Sequence, residues 1–337
     1  MHTTTGIPDP GLEPRSARQP RSLRRALTVL RVAFLGGLAV IGLGAIADAA
    51  SAAPGVKAAV KKNALTVTGT SGADVIHLRL QPGDPNRLQV DVRGDGTADF
   101  AFDRRQFTTI AVLGTGGDDR LVIDQINGGF TDTEVTTLDG GAGHDTLIGG
   151  FGGETLDGGT GNDVADGNLG SDTATLGDGD DTFQWDPGDS SDTVTGGAGN
   201  DTMVFNGANV GEIFDIARNA GRVRLTRNVG TVTMDIDDLE NIQLNAFGGA
   251  DVIGVRDLTG TDLRTVTANL SMFGGADDAV VDTVEVPAGV TIGRDGTTPV
   301  VNGLGAQVRV TGQWPLDQIH VDGPTTNDTV YIAGTND

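Results

Sequence analysis

The chain has 337 residues, with 46 acidic and 23 basic side chains and a formal net charge of −23. Nucleic acid and an anionic membrane surface both repel such a polyanion, so the balance speaks against either as a partner and favours cations. Glycine supplies 53 residues, aromatics only 4% and cysteine none, which rules out disulfides and a large aromatic core.

Residues 1–52 read as an address. Arg15, Arg18, Arg21, Arg24, Arg25 and Arg31 form a basic stretch. A short apolar run from Val32 to Ala47 follows, interrupted by Gly36, Gly37, Gly42 and Gly44, and then the small-x-small triplet Ala50-Ser51-Ala52. This order is that of a secretory signal peptide, and the run is short for the about 20 residues of a membrane span. The mature chain is expected to begin near Ala53, outside the cell, with no membrane span in the rest of the sequence.

Residues 53–139 read as a β-rich flank. Alternating segments such as Leu88 to Val92 and Thr108 to Val112 predict half-buried strands. Gly69-Thr-Ser-Gly-Ala-Asp-Val-Ile76 and Gly114-Thr-Gly-Gly-Asp-Asp-Arg-Leu121 combine a Gly/Asp turn with an apolar residue two places after the acid. Asp91-Val-Arg-Gly-Asp-Gly96 is similar to the start of a calcium loop, but Arg93 stands where an oxygen ligand is needed, and a hairpin turn is the better reading.

From residue 140 to 204 a nine-residue period appears. Gly140, Gly141 and Gly143 precede Asp145; Gly149, Gly150 and Gly152 precede Glu154; Gly158, Gly159 and Gly161 precede Asp163. Gly167 and Gly170 precede Asp172, with Asn168 in second place, and Gly177 and Gly179 precede Asp181. Trp185 and Asp186 interrupt. Pro187 to Thr195 is a degenerate copy with Asp192 in sixth place, and Gly196, Gly197 and Gly199 before Asp201 restore the pattern. Glycine at places one, two and four admits φ > 0 and a tight turn whose carbonyls face one side. The acid at place six adds a carboxylate there, and Ca²⁺ takes six to eight such oxygens. Place eight points inward: Leu147, Leu156, Ala165, Ala174, Phe183, Val194 and Met203. Two nonapeptides make one coil, so each turn lies over the turn two repeats later. Asp163 then belongs to sites on both sides, and Asp201 falls near the end of the array. Glu154 departs from the aspartate pattern, and the two alanines leave the core thin.

These residues resemble the hemolysin-type (RTX) nonapeptide repeats of secreted bacterial calcium-binding proteins. The resemblance implies an all-β fold, a parallel β-roll or β-solenoid, binding several Ca²⁺ ions through the acids and turn glycines named above.

Residues 205–337 read as a second β-rich flank that extends or caps the roll, with alternating segments at Arg222 to Arg227, Thr231 to Asp237 and Val308 to Thr311. Gly248-Gly-Ala-Asp-Val-Ile253 and Gly274-Gly-Ala-Asp277 keep the turn core, and Asn327-Asp-Thr-Val330 keeps its end. Whether the outer turns hold ions is left open by the sequence. An enzyme that uses the roll as a scaffold is the alternative, a hydrolase or polysaccharide-modifying enzyme; a surface adhesin is another. The chain has neither a His-Glu-x-x-His motif nor a Gly-x-Ser-x-Gly elbow, and His77, His144 and His320 are scattered, with His144 expected to be exposed in a turn. The sequence therefore predicts a non-enzymatic protein whose protein or polysaccharide partner it does not name.

Overall fold

The computed structural model describes residues 55–275, 279–313, 315–322 and 328–331. The predicted leader, Asp277 and Asn327 lie outside them. Among the described residues there are strands and two short 3-10 turns but no α-helix. The strands form two sheets, of 14 and 13 strands, around one apolar core.

Successive strands of the repeat alternate between the sheets. Val135–Ala142, Glu154–Thr160, Thr173–Asp178 and Thr193–Ala198 lie side by side in one. Thr146–Ile148, Val164–Asp166, Thr182–Trp185 and Thr202–Asn206 do so in the other, and every one of these pairings is parallel. The pattern of the sequence explains the register. Threonine, or Val164 in one repeat, at place seven faces out and an apolar residue at place eight faces in, with the period of two that a strand requires. Leu138, Leu156, Ala174 and Val194 therefore stack as one inward column. Leu147, Ala165, Phe183 and Met203 stack as the other. All eight are buried. Each coil advances 18 residues, and the insertion of Trp185 and Asp186 makes the next step 20.

The inserted Trp185 is part of the core. It is buried on the strand Thr182–Trp185, and its ring stacks on Phe205 at 4.1 Å between centroids. Leu176, in a place where the period has glycine, is also buried, two residues from Ala174 on the same inward face. Together they supply apolar volume near the alanine positions.

The parallel pairing continues beyond the repeat in both directions. Upstream, Ala64–Thr68 and Thr109–Leu113 lead into Val135–Ala142, and Val75–Gln81 and Arg120–Asp124 lead into Thr146–Ile148. Downstream, Asn241–Asn245, Thr265–Asn269 and Gln307–Thr311 follow Thr202–Asn206. Ile213–Asn219, Val252–Val255, Thr283–Pro287 and Gln318–Asp322 form a second downstream series. The outermost strand of each sheet end belongs to an antiparallel pairing: Lys57–Lys61, Phe100–Asp103, Thr291–Asp295 and Asp328–Tyr331. Such folded-back edges take up backbone groups that an open coil would leave as a template for another chain. The Asp91–Gly96 segment is one of these reversals, in which buried Asp91 pairs with Arg79 at 2.9 Å and accepts the Gly96 N–H.

Close stacking of coils explains the glycines in place two. Gly141, Gly159, Gly177 and Gly197 have φ of +99°, +104°, +115° and +118°. A Cβ at Gly159 would stand closer than 3.0 Å to the Gly141 carbonyl oxygen of the coil before. Gly188 has φ +126° but open space around the same position. Gly188→Ala should therefore carry only the conformational cost, about 1–3 kcal/mol. Gly159→Ala should cost clearly more, because it also forces two coils apart. Thermal unfolding in calcium compares them, and equal losses would contradict the stacking argument.

Candidate metal centres

The acids at place six form rows along the roll. In the longest, the backbone N–H of each acid donates to the carboxylate of the next coil: Asp74 to Asp119, Asp119 to Asp145, Asp145 to Asp163 and Asp163 to Asp181, each at 2.7 Å. Asp181 to Asp201 and Asp201 to Glu240 follow at 2.9 Å. On the opposite edge Glu154 donates to Asp172 at 2.6 Å and Asp172 to Asp192 at 2.9 Å. A third row joins Glu212, Asp251, Asp282 and Asp317 in the same way. All of these acids are buried.

Beyond the first acid of each row, one oxygen of the carboxylate is thus engaged by the neighbouring coil. The other points into its own turn. The Oδ2 atoms of Asp119, Asp145, Asp163, Asp172, Asp181 and Asp201, and Oε1 of Glu154, are buried without a hydrogen-bond partner. Their direction is marked by the glycine in place one. A Cβ on Gly140 would stand closer than 3.0 Å to both Asp145 Oδ2 and the Gly158 carbonyl oxygen. The same crowding holds at Gly158 for Asp163 Oδ2 and the Leu176 carbonyl and at Gly196 for Asp201 Oδ2 and the Asp238 carbonyl, while at Gly149 the Gly167 carbonyl meets Glu154 Oε2, which accepts the Gly150 N–H at 2.6 Å. Gly167 likewise faces Asp172 Oδ2. Carboxylate and carbonyl oxygens converge where a side chain would begin. Place four adds more: Gly143, Gly161, Gly170, Gly179 and Gly199 each face the carbonyl of the corresponding glycine one coil earlier. Oxygen donors alone, from carboxylates and backbone, suit a hard cation, and a flexible set of this kind suits Ca²⁺ better than Mg²⁺.

The seven acids read from the sequence all lie in these rows, and the two-row arrangement follows the two-repeat coil. Three details differ. Asp201 is interior, because Glu240 continues the row from 39 residues further on, across the antiparallel excursion that begins at Ile213. Gly150 faces the Thr131 hydroxyl and the Ile123 side chain, with no turn glycine against it as Gly141 stands against Gly159. Asn168 takes the place of a glycine with φ +58°, a conformation asparagine tolerates. Sequence reading missed Glu240, Glu212, Asp282 and Asp317. Their shared signal is an acid two residues before a buried apolar side chain, without the full glycine set; Gly207 and Gly312 keep place one before Glu212 and Asp317. The downstream row uses Asp282 and Asp317, whereas the sequence pointed to Gly274–Asp277 and Asn327–Val330. His144 is exposed as expected and accepts the Asn162 N–H at 2.7 Å.

The ends of the rows are closed by protein groups. Asp74 Oδ2 accepts from the Thr70 N–H at 2.6 Å and the Thr70 hydroxyl at 2.9 Å. Arg227, buried, pairs with Glu212, and Arg264 lies 3.7 Å from Glu240.

A family model for the RTX calcium-binding nonapeptide repeat, in four copies, matches residues 137–155, 148–183 and 188–209. Residues 137–209 carry RTX calcium-binding repeats. No curated protein matches the chain. Among solved structures, the extracellular lipase LipA from Serratia marcescens is similar at 12% identity and a TM-score of 0.19, over 63% of this chain and 43% of the lipase. The chain thus spans less than half the length of that protein. The RTX repeats are non-catalytic, and no helix among the described residues is long and apolar enough to cross a membrane.

Burial controls the charge state of the RTX carboxyls in the metal-free fold. Desolvation raises Asp163 and Asp201 to about 6, Asp192 and Glu154 to about 7 and Asp172 to about 9. The neighbouring acids of each aspartate row push the same way. The metal-free fold therefore holds protons that the unfolded chain releases near pH 4. Its stability is greatest at low pH and declines as pH rises from about 4 through the range of about 6 to 9. Calcium needs the ionised carboxylates and competes with protons over the same window. Without calcium, circular dichroism should show more β structure at pH 5 than at pH 8, and millimolar calcium should close the gap. A metal-free protein that gains β structure as pH rises would contradict this.

Proposed function

We propose that this is a secreted calcium-binding protein whose roll folds when Ca²⁺ enters its turns, with a structural or partner-binding role outside the cell. The observation that carries the reading is the set of buried, unpartnered inner carboxylate oxygens, which at Asp145, Asp163 and Asp201 meet a backbone carbonyl across a glycine too crowded for a side chain. Asp145, Asp163, Asp181 and Asp201 on one edge and Glu154, Asp172 and Asp192 on the other supply the carboxylates. The turn glycines supply carbonyls. The basic, apolar, small-x-small order of residues 1–52 supports export, and the family carried by residues 137–209 is one of extracellular proteins. The reading assigns no catalytic residue.

The energetics favour folding coupled to binding. Metal-free, the inner oxygens either face one another as like charges or take up protons. The apolar column includes Ala165 and Ala174, so burial there offsets little of the roughly 1–2 kcal/mol per residue of backbone entropy. A bound cation reverses the local sign and adds about 2.7 kcal/mol per site when free calcium is 100 times the dissociation constant. Extracellular calcium modules commonly bind at about 10⁻⁴–10⁻³ M, so the roll would stay unfolded at cytosolic calcium and fold outside.

Hydrogen exchange on residues 140–204 tests the reading. Protection should be lost in a chelator, restored by millimolar calcium and poorly restored by magnesium. Equal protection with and without calcium would overturn it.

A further inference from the structure

The turn at 114–119 lies one coil upstream of the matched repeats, yet it has the geometry of a repeat turn. A Cβ on Gly114 would stand closer than 3.0 Å to both Asp119 Oδ2 and the Gly140 carbonyl oxygen. Gly140 and Gly158 meet the same pair of atoms inside the repeats. Gly117, in place four, has φ +95°, and its carbonyl faces Gly143 as the Gly143 carbonyl faces Gly161.

Two further observations single this turn out. Asp119 is 2% exposed, its Oδ1 takes the Asp74 N–H, and its Oδ2 is buried with no hydrogen-bond partner. Thr115, in place two, has φ +82°, in the region that Gly141, Gly159 and Gly177 occupy. A β-branched residue there is an outlier that costs on the order of 1–3 kcal/mol and persists only where its surroundings fix it. Its carbonyl oxygen lies 2.7 Å from the Cβ position of Gly141, in the place where the Gly141 carbonyl meets Gly159. The backbone thus keeps the repeat conformation without the glycine that would make it easy.

The next coil upstream is different. Asp74 Oδ2 is already held by the Thr70 N–H and hydroxyl, and Thr70 lacks a positive φ. The row is therefore closed by protein at Asp74 and open at Asp119.

We propose a calcium site in the turn 114–119, with Asp119 Oδ2 and the Gly140 carbonyl among its oxygen donors. It rests on the reading that the repeats bind calcium, and it extends the ion array one coil beyond the matched residues while stopping at Asp74.

Counting calcium by equilibrium dialysis of the intact chain tests this, with Asp119→Asn and Asp74→Asn as the variants. Asparagine keeps an oxygen for the neighbouring N–H but removes the charge. At saturating calcium, Asp119→Asn should bind one ion fewer than the parent and Asp74→Asn the same number. An Asp119→Asn chain with the parent's count overturns the site but leaves the repeats' calcium binding intact; a parent that binds no calcium overturns both. Should Asp119→Asn fail to fold, hydrogen exchange on the parent decides. Residues 109–121 should gain at least about tenfold protection on adding calcium. Protection unchanged by calcium in that segment would overturn the proposal.

Discussion

The constraint on which this roll depends is the burial of the row carboxylates Asp119, Asp145, Asp163, Asp181 and Asp201, and of Asp172 on the opposite edge, with only half of their hydrogen-bonding capacity met by protein. One oxygen caps the backbone N–H of the coil before, which fixes the stacking register. The other has no protein donor. A buried polar atom left unpaired costs on the order of 1–3 kcal/mol, and a buried charge more. Repeated along a row, this becomes a fold that is incomplete until a proton or a cation supplies the missing interaction. The alternatives have opposite dependence on pH, and only the cation works at neutral pH without neutralising the acids.

Glycine is the geometric partner of that constraint. Coils stack closely enough that the carbonyls of one turn occupy the Cβ positions of the next. A turn of larger residues would push the coils apart and spread the oxygens. Thr115 shows what the geometry demands where glycine is missing, and Leu176 shows a place-one residue that instead turns into the core. The rows end where protein donors take the cation's role: Thr70 at Asp74, Arg227 at Glu212 and Arg264 at Glu240. Asp74 and Glu240 border the acids Asp119 and Asp201, whose second oxygen is unmet.

The nine-residue period was enough to read the two-sheet coil, its inward residues from Leu147 to Met203 and the stacking of acids two repeats apart. That is because turn, acid and apolar place recur at fixed offsets. The extension of the rows was not legible, because coil length varies outside the repeat. The steps between stacked acids are 45 from Asp74, 26 from Asp119, 18 from Asp145 and 39 from Asp201. Antiparallel excursions fill the extra length after Asp74 and Asp201, and connections outside the antiparallel pairings fill it after Asp119 and Asp251, so Glu240 and Asp282 stack without standing in phase. An acid two residues before an apolar side chain is too common a pattern to be found without its glycines. Trp185 read as an interruption because the period cannot distinguish an insertion in a loop from one that lengthens a strand into the core.

The most direct test of the central claim is the dependence of unfolding on free calcium. If the inner oxygens need a cation, the unfolding midpoint should rise steadily with calcium concentration, with a linkage slope of several ions taken up per chain folded, and should respond little to magnesium. A midpoint that does not move between chelator and millimolar calcium would mean that the carboxylate rows are stable as they stand, and the account would be wrong.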